Sequence, residues 1–174
     1  ALRAIVPGEG VIVDDTALRA YESDGISAYK QKPMIVVLPD TTDQVSRVLK
    51  YCHANNVKVV PRGGGTSLSG GAMPLEDGIV LGLGKFKRIR KIDYDNRAVV
   101  AEPGVTNLGI TNAVQHKGFY YAPDPSSQIA CTIGGNVAEN SGGVHCLKYG
   151  LTVHNVLKVR GYTIEGEPIE FGSD

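Results

Sequence analysis

The sequence lacks three features that would place it in a broad class of proteins: a net charge, a long apolar segment and paired cysteines. Its 174 residues include 18 Lys and Arg against 18 Asp and Glu, so the formal net charge is zero. Binding nucleic acid through overall charge needs a basic excess, so we expect no nucleic-acid partner. The longest strongly apolar run, residues 34–38, falls far short of the roughly 20 residues that cross a bilayer, and no secretory signal is visible.

Cysteine is scarce, and its positions are informative. Cys52, Cys131 and Cys146 form no CxxC pair. An odd number of cysteines without a secretion signal is typical of free thiols in a reducing compartment, so we expect a cytoplasmic protein. His145 stands beside Cys146, but two adjacent residues do not make a tetrahedral ligand set, and we predict no metal site.

Glycine, in contrast, is abundant. The chain has 22 glycines, about 13% against a usual ~7%. They cluster locally and show no period, which indicates that the backbone needs freedom or close approach at particular places. With 42% hydrophobic and 21% charged residues, the chain has the composition of a folded domain with a core.

The apolar pattern predicts a parallel βαβ unit early in the chain. Residues 34–38 form a short buried-strand pattern, Thr41 and Gln44 have capping-box spacing, and residues 57–61 return as a second strand. Asn55 and Asn56 suit the C-terminal end of the helix between the strands. That helix is expected to bury one face, made of Val45, Val48, Leu49 and Cys52.

The rest of the chain mixes strands and helices without strict alternation, so the predicted class is α+β with one parallel βαβ corner. Thr106 is expected to cap a helix that Gly118 stops. The other predicted elements are strands at residues 78–83, 86–92, 97–102, 152–163 and 168–171, a short helix at 134–140, and turns at 93–96 and 165–166. Residues 85–91 carry a basic run, which we interpret as a solvated strand face rather than a partner surface.

The first motif with chemical meaning is PRGGGTSLSGG, residues 61–71, at the end of the second predicted strand. Its consecutive glycines allow successive backbone amides to point at one spot, a nest suited to a diphosphate. Arg62 adds charge, and Thr66, Ser67 and Ser69 add hydroxyl donors. The motif lacks the last glycine of GxGxxG and the Gly-Lys-Ser/Thr of a Walker A loop, which disfavours NAD and ATP. The alternative is an ordinary flexible loop.

The second motif is PDPSSQIACTIGGNVAENSGG, residues 123–143. Pro123 and Pro125 stiffen its entry, and two glycine pairs flank a predicted helix N-terminus. Small polar side chains within it could meet a flat ring or a phosphate. The alternative is a glycine-rich turn before a capped helix. Both motifs in one chain favour a large, nucleotide-like ligand.

On these residues the chain resembles the FAD-binding domain of the vanillyl-alcohol oxidase/para-cresol methylhydroxylase flavoproteins. Within that family it is most similar to the FAD-linked subunits of bacterial glycolate oxidase, near the D-lactate dehydrogenases. The resemblance runs from residue 21 to residue 174 and is most specific over residues 120–155. It implies a small parallel βαβ lobe at about residues 1–61 and a mixed, largely antiparallel lobe at about 62–174, with FAD extended between them.

The resemblance also implies which residues contact FAD. The pyrophosphate loop corresponds to Gly63, Gly64, Gly65, Thr66 and Ser67, beside Arg62, and is closed by Leu68, Ser69 and Gly70. The flavin end and second wall correspond to Pro123, Asp124, Thr132, Gly134, Gly135 and Asn136, with Ala138, Gly142 and Gly143 beyond them and Val156 near the adenine. Thr66 stands where some relatives place a histidine bonded to the flavin, so FAD is expected to be non-covalent.

The expected function is that of the FAD-binding domain of a flavin-dependent 2-hydroxy acid oxidoreductase of the glycolate oxidase kind. The alternatives are a D-lactate dehydrogenase-like domain and a nucleotide-binding module without catalysis. His145 and His154 could serve as bases, but we interpret them as polar residues near the ligand loop and assign no catalytic residue. The resemblance places the substrate base and any metal ligands in a C-terminal substrate domain beyond residue 174, so we expect a truncated, inactive chain.

The same resemblance implies the partners of the full-length enzyme. They are a small 2-hydroxy acid and other flavin and iron–sulfur subunits. Such an assembly would hold a cytoplasmic protein at the periphery of the inner membrane.

Overall fold

The computed structural model describes residues 1–173. It divides into two compact units: residues 1–85 with the C-terminal segment from residue 157, and residues 86–156. Each unit contains both helices and strands, and the predicted α+β class is confirmed. The units do not coincide with the expected lobes at residues 1–61 and 62–174, and that lobe division stays a prediction.

A four-stranded sheet forms the centre of the first unit. Its strands are β1 (Val11–Ile12), β2 (Ile35–Val37), β3 (Lys58–Arg62) and β4 (Gly78–Gly82), in the order β1-β2-β4-β3. β4 is parallel to both β2 and β3, and β1 is antiparallel to β2. The predicted parallel pair is confirmed in direction, but β4 lies between its members. β4 is buried throughout, as its unbroken apolar centre indicates.

Helix α3 (Thr42–Ala54) connects β2 to β3 as predicted. The Thr41 hydroxyl accepts the Gln44 amide at 3.2 Å, and the Gln44 side chain accepts the Asp40 amide at 2.7 Å. Asn56 ends the helix region with a φ of 53°. Two shorter helices precede α3: α1 (Leu2–Ile5) and α2 (Asp15–Leu18). The four residues predicted to face the core are all buried, and burial of each apolar side chain contributes roughly 1.5–3 kcal/mol.

A hairpin of β7 (Lys158–Tyr162) and β8 (Pro168–Gly172) packs on α3. The Ser46 hydroxyl donates to the Gly166 carbonyl at 2.7 Å, and Lys50 pairs with Glu167 at 3.0 Å. Gly166 has a φ of +77°, and a Cβ there would lie 2.5 Å from the Ser46 carbonyl oxygen. The predicted turn and final strand are therefore confirmed.

The strand predicted at residues 152–163 is wrong in its first half. Thr152–Asn155 forms a 3-10 turn, and the strand begins only at Lys158. The Leu151 amide donates to Nδ1 of His154 at 3.1 Å, and the Asn155 side-chain amide donates to the Leu151 carbonyl at 2.9 Å. These local bonds satisfy backbone groups that a strand would offer to a neighbour.

The second unit contains a β-hairpin and three helices. They are β5 (Ile89–Asp93), β6 (Ala98–Ala101), α4 (Asn107–Val114), α5 (Ile133–Glu139) and α6 (Cys146–Tyr149). Thr106 caps α4 and Gly118 adopts a φ of +79° after it, as predicted. Thr132 caps α5 through the Gly135 amide at 3.4 Å.

Two arginines of the basic run share one buried partner. Arg88 and Arg90 donate to the buried carboxylate of Glu102, at 3.0 and 2.7 Å. The guanidinium groups remain largely exposed, so the solvated face is confirmed and also anchors this carboxylate. Among the described residues, no helix has the length and apolarity needed to span a bilayer.

Candidate functional site

The glycine-rich loop of the first unit joins two parallel strands. It begins directly after β3 and returns the chain to β4. Within residues 1–173, the backbone amides of Gly64, Gly65 and Thr66 donate to no acceptor. Gly64 is exposed, and its two neighbours are half-buried. Three successive amides without a protein acceptor form a donor set that matches an anionic ligand.

Arg62 fixes the base of this loop from inside. Its Nη1 donates to the Ser23 carbonyl at 2.8 Å and to the Ala72 carbonyl at 3.3 Å, and its guanidinium lies 5.7 Å from the centre of the Tyr21 ring. Gly65 has a φ of +69°, and a side chain there would collide with the guanidinium. Burial lowers the pKa of Arg62, an effect that the nearby Asp24 carboxylate opposes. Arg62 thus ties the two ends of the loop together.

A second support comes from residues 23–26, which the motif analysis missed. A Cβ on Gly25 would lie 2.7 Å from the Ser67 carbonyl oxygen and 2.8 Å from that of Thr66. Asp24 is buried, and its Oδ1 accepts the Ile26 amide at 2.8 Å. No glycine cluster or charge pattern marks this segment in the sequence, so its role becomes visible only in three dimensions.

The second half of the loop closes on itself. The Ser67 hydroxyl accepts the Ser69 amide at 3.1 Å and the Gly71 amide at 3.4 Å. Gly70 adopts a φ of +77°, and Leu68 is 76% exposed. The Ser69 and Gly71 amides are therefore occupied within the loop, whereas those of Gly64, Gly65 and Thr66 are not.

In the second unit, hydrogen bonds between buried side-chain amides anchor the second motif, residues 123–143. The Asn136 side chain donates to the Asn107 side chain at 2.8 Å, and Asn107 donates to the Pro123 carbonyl at 3.0 Å. Both asparagines are almost fully buried. The side chain of Asn136 therefore has an internal role, and its predicted contact with FAD stays a prediction.

Two of the predicted glycines are explained by internal packing. A Cβ on Gly134 would lie 2.7 Å from the Pro103 side chain, and one on Gly142 would lie 2.7 Å from Leu151. Gly135 is under no such constraint, since a Cβ there would lie 3.5 Å from the Thr132 hydroxyl oxygen, an ordinary contact distance. Ala138 is exposed on α5, and Val156 lies half-buried just before β7.

Asp124 and His145 form a close pair in this unit. Oδ2 of Asp124 lies 2.6 Å from Nδ1 of His145, and Oδ1 accepts the His145 backbone amide at 3.4 Å. A side chain on Gly143 would collide with Asp124. The sequence predicts only a polar residue near the ligand loop at His145, because it gives no sign of a partner 21 residues away.

A pair of tyrosines, one exposed and one half-buried, lies beside His145. The rings of Tyr120 and Tyr149 are edge to face, with centroids 6.1 Å apart, and the His145 ring is 6.4 Å from Tyr149. The hydrogen bond to Tyr149 raises the pKa of Tyr120. Hydrogen bonds from Tyr120 and Lys148 lower the pKa of Tyr149. Among the described residues, no group of three or more His, Cys, Asp or Glu side chains is placed to hold a metal ion.

Comparison with protein families and curated proteins gives a consistent result. Residues 33–172 match the family described as FAD binding domain. The whole chain is 55% identical to glycolate oxidase subunit GlcD of Escherichia coli (strain K12) and covers 35% of it. Over 87% of the chain, identity to the Bacillus subtilis (strain 168) GlcD subunit is 42%, covering 32% of that protein. Over 79% of the chain, identity to D-lactate dehydrogenase of Archaeoglobus fulgidus is 39%, covering 31%.

Solved structures show the same fold. Alkyldihydroxyacetonephosphate synthase superposes with a TM-score of 0.84 at 22% identity, over 98% of this chain and 34% of that one. p-Cresol methylhydroxylase superposes with a TM-score of 0.83 at 22% identity, over 97% of this chain and 33% of the other. The chain thus spans about a third of the length of the curated relatives and solved structures that it matches.

Proposed function

Because this chain belongs to the FAD-binding domain family, we propose that it is the FAD-holding portion of an enzyme that oxidises small 2-hydroxy acids. The support for the activity is the 55% identity, over the whole chain, to a protein named as a glycolate oxidase subunit. FAD is the cofactor of the family, and glycolate is the first substrate to test.

The observation that carries the assignment of the binding loop is the set of amides at Gly64, Gly65 and Thr66. They have no acceptor among the described residues, while Arg62 and Ser67 tie the loop down on either side. An FAD diphosphate would supply the missing acceptors, and hydrogen bonds to a charged acceptor are about twice as strong as neutral ones. We assign the diphosphate to these three amides.

The other predicted contact residues differ in what they can offer to FAD. Leu68 and Ser69 are exposed beyond the diphosphate loop, and Thr66 offers a hydroxyl that cannot bond covalently to a flavin as a histidine can. Bound FAD supplies the two-electron acceptor for the oxidation. This chain's own contribution is to hold and orient the cofactor, and we propose that Pro123 and Asp124 contact its flavin end.

A second substrate is favoured by one comparison. The 39% identity to an Archaeoglobus fulgidus protein named D-lactate dehydrogenase makes D-lactate the alternative to glycolate. A nucleotide-binding module without catalysis is the third candidate. The word subunit in the names of the GlcD relatives supports partner subunits. We propose further flavin and iron–sulfur subunits among them, in the cytoplasm at the inner membrane.

The test is anaerobic reduction of FAD in the full-length protein by excess glycolate, D-lactate or L-lactate. Reduction is measured as the loss of the oxidised flavin absorbance. We expect rapid bleaching by glycolate. Bleaching by D-lactate alone would select the alternative, and no bleaching by any 2-hydroxy acid would contradict the proposed activity.

A further inference from the structure

Gly25 lies against the backbone of the glycine-rich loop, although the two are far apart in the sequence. Both belong to the first unit. A Cβ at Gly25 would lie 2.7 Å from the Ser67 carbonyl oxygen, 2.8 Å from the Thr66 carbonyl oxygen and 3.1 Å from the Thr66 carbonyl carbon. All three distances are shorter than an ordinary contact of ~3.5–4.0 Å. Because the atoms are backbone atoms, no side-chain rotation could make room for a side chain at this position.

The two usual reasons for a glycine do not apply at this position. Gly25 is exposed, so burial in the core does not exclude a side chain. Its φ does not lie in the left-handed region, so its backbone conformation is open to other residues. Gly65, in contrast, has a φ of +69° as well as a close neighbour in Arg62. The closeness of the loop is therefore what favours glycine at position 25.

The residues on both sides of Gly25 are held in place. Asp24 is buried, and its Oδ1 accepts the Ile26 amide at 2.8 Å. The Ser23 carbonyl accepts Nη1 of Arg62 at 2.8 Å. These bonds leave the segment little freedom to move away from the loop. A side chain at Gly25 would therefore displace the loop more readily than the segment.

The loop is less restrained where it faces this segment. Among the described residues, the amides of Gly64, Gly65 and Thr66 donate to no acceptor. Thr66 carries the last of these amides and also one of the two carbonyls that lie close to Gly25. Because both groups belong to one residue, displacement of the Thr66 carbonyl would also move its amide. An anion nest requires successive amides to point at one spot, so this displacement would impair it.

We propose that Gly25 is a positioning residue for the diphosphate of FAD; this inference rests on the proposed function. By lacking a side chain, Gly25 lets Thr66 keep the conformation in which its amide joins those of Gly64 and Gly65. Gly25 acts through the loop, and the proposal includes no bond between Gly25 and the ligand. It extends the cofactor site to a segment that lies outside both glycine-rich motifs.

The experiment compares Gly25→Ala with the control Gly84→Ala in the full-length protein. Gly84 belongs to the same unit, and a Cβ there would meet no atom within 4 Å. Equilibrium titration measures the affinity for FAD, and urea unfolding without FAD measures stability. We expect Gly25→Ala to bind FAD at least tenfold more weakly than the control, as when one hydrogen bond to a charged group is lost. The urea midpoints of the two variants should be equal, because residue 25 is exposed.

A local readout separates positioning of the loop from general destabilisation. Hydrogen–deuterium exchange is measured with FAD at a saturating concentration for each variant. Bound FAD should slow exchange at the amides of Gly64, Gly65 and Thr66 in the unaltered protein and in Gly84→Ala. In Gly25→Ala this protection should be reduced, while exchange elsewhere in the chain is unchanged.

Three results would overturn the proposal. They are equal FAD affinity in Gly25→Ala and Gly84→Ala, weaker binding with full protection of the loop amides, and weaker binding that accompanies a lowered urea midpoint. If the unaltered full-length protein does not bind FAD, it is the proposed function that fails.

Discussion

At the scale of single residues, the loop after β3 contains both backbone amides that have no acceptor and residues that hold the loop in its conformation. Gly64 is exposed with a free amide, whereas Gly65 is pressed against the guanidinium of Arg62. Both amides belong to the set that we assign to the diphosphate, but Gly65 also leaves the space that the Arg62 guanidinium occupies. The motif predicted an anion nest, but the inward role of Arg62 could not be predicted, because its carbonyl partners come from Ser23 and Ala72.

Substituting Gly64 tests the donor role. In Gly64→Val, the branched side chain should block the approach of the diphosphate, and loss of one or two charge-assisted bonds costs roughly 1.5–3 kcal/mol each. We expect FAD affinity to fall at least tenfold, measured by titration, with an unchanged circular dichroism spectrum. Gly84→Val is the matched control, since a Cβ at Gly84 meets no atom within 4 Å. Equal FAD affinity in the two variants would mean that the loop does not hold the phosphates.

At the scale of elements, sequence-based prediction succeeds where local chemistry decides the structure. The Thr41 and Thr106 caps and the buried face of α3 are all confirmed, because each depends on residues within one or two helical turns. Sequence-based prediction fails where residues far apart in the sequence decide the structure. Nothing near β2 or β3 indicates that β4 lies between them. The pairing of Asp124 with His145 likewise depends on how Gly143 packs.

The ion pairs beside the β5–β6 hairpin lead to a prediction about the stability of the fold at low pH. Burial raises the pKa of Glu102, but hydrogen bonds from the Arg88 amide and the Arg88 and Arg90 guanidinium groups outweigh it and hold the pKa below its ordinary value. A carboxylate with a lowered folded-state pKa stabilises the fold above its unfolded-state pKa, ~4.3. That contribution is lost as pH falls through the folded-state pKa.

We therefore expect Glu102→Gln to lower the free energy of unfolding by about 2 kcal/mol at neutral pH. The difference in the free energy of unfolding between the variant and the unaltered chain should shrink as the pH falls below the ordinary pKa of glutamate, ~4.3. Urea unfolding at several pH values measures both. Glu76→Gln, at an exposed carboxylate, is the control. A Glu102→Gln deficit that persists unchanged in acid would show that the ionised carboxylate is not the stabilising group.

At the scale of the whole molecule, the chain spans about a third of its curated relatives and contains two separate units. A cofactor-binding role for residues 63–71 and one for residues 123–143 can each be expected from sequence, because both segments carry local glycine patterns. Binding of the substrate has further requirements. Holding the reacting carbon against the flavin accounts for much of the rate, and a 2-hydroxy acid also needs a cationic group for its carboxylate. We assign no such group within the described residues.

It follows that this chain alone, loaded with FAD, should not oxidise glycolate or D-lactate. A bound flavin without a carboxylate clamp does not hold the substrate in position. Anaerobic bleaching with each acid in excess measures this, and the full-length protein is the positive control. Stoichiometric bleaching of the isolated chain within minutes would show that the whole catalytic set lies between residues 1 and 174.

The central claim is that this chain binds FAD through its glycine-rich loop, and it is tested most directly by equilibrium titration of the purified chain. The sequence contains eight tyrosines and no tryptophan, so tyrosine fluorescence can follow FAD, NAD and ATP in parallel. We predict saturable quenching by FAD, with no saturable response to NAD or ATP. Tight binding of NAD or ATP with no response to FAD would contradict the claim.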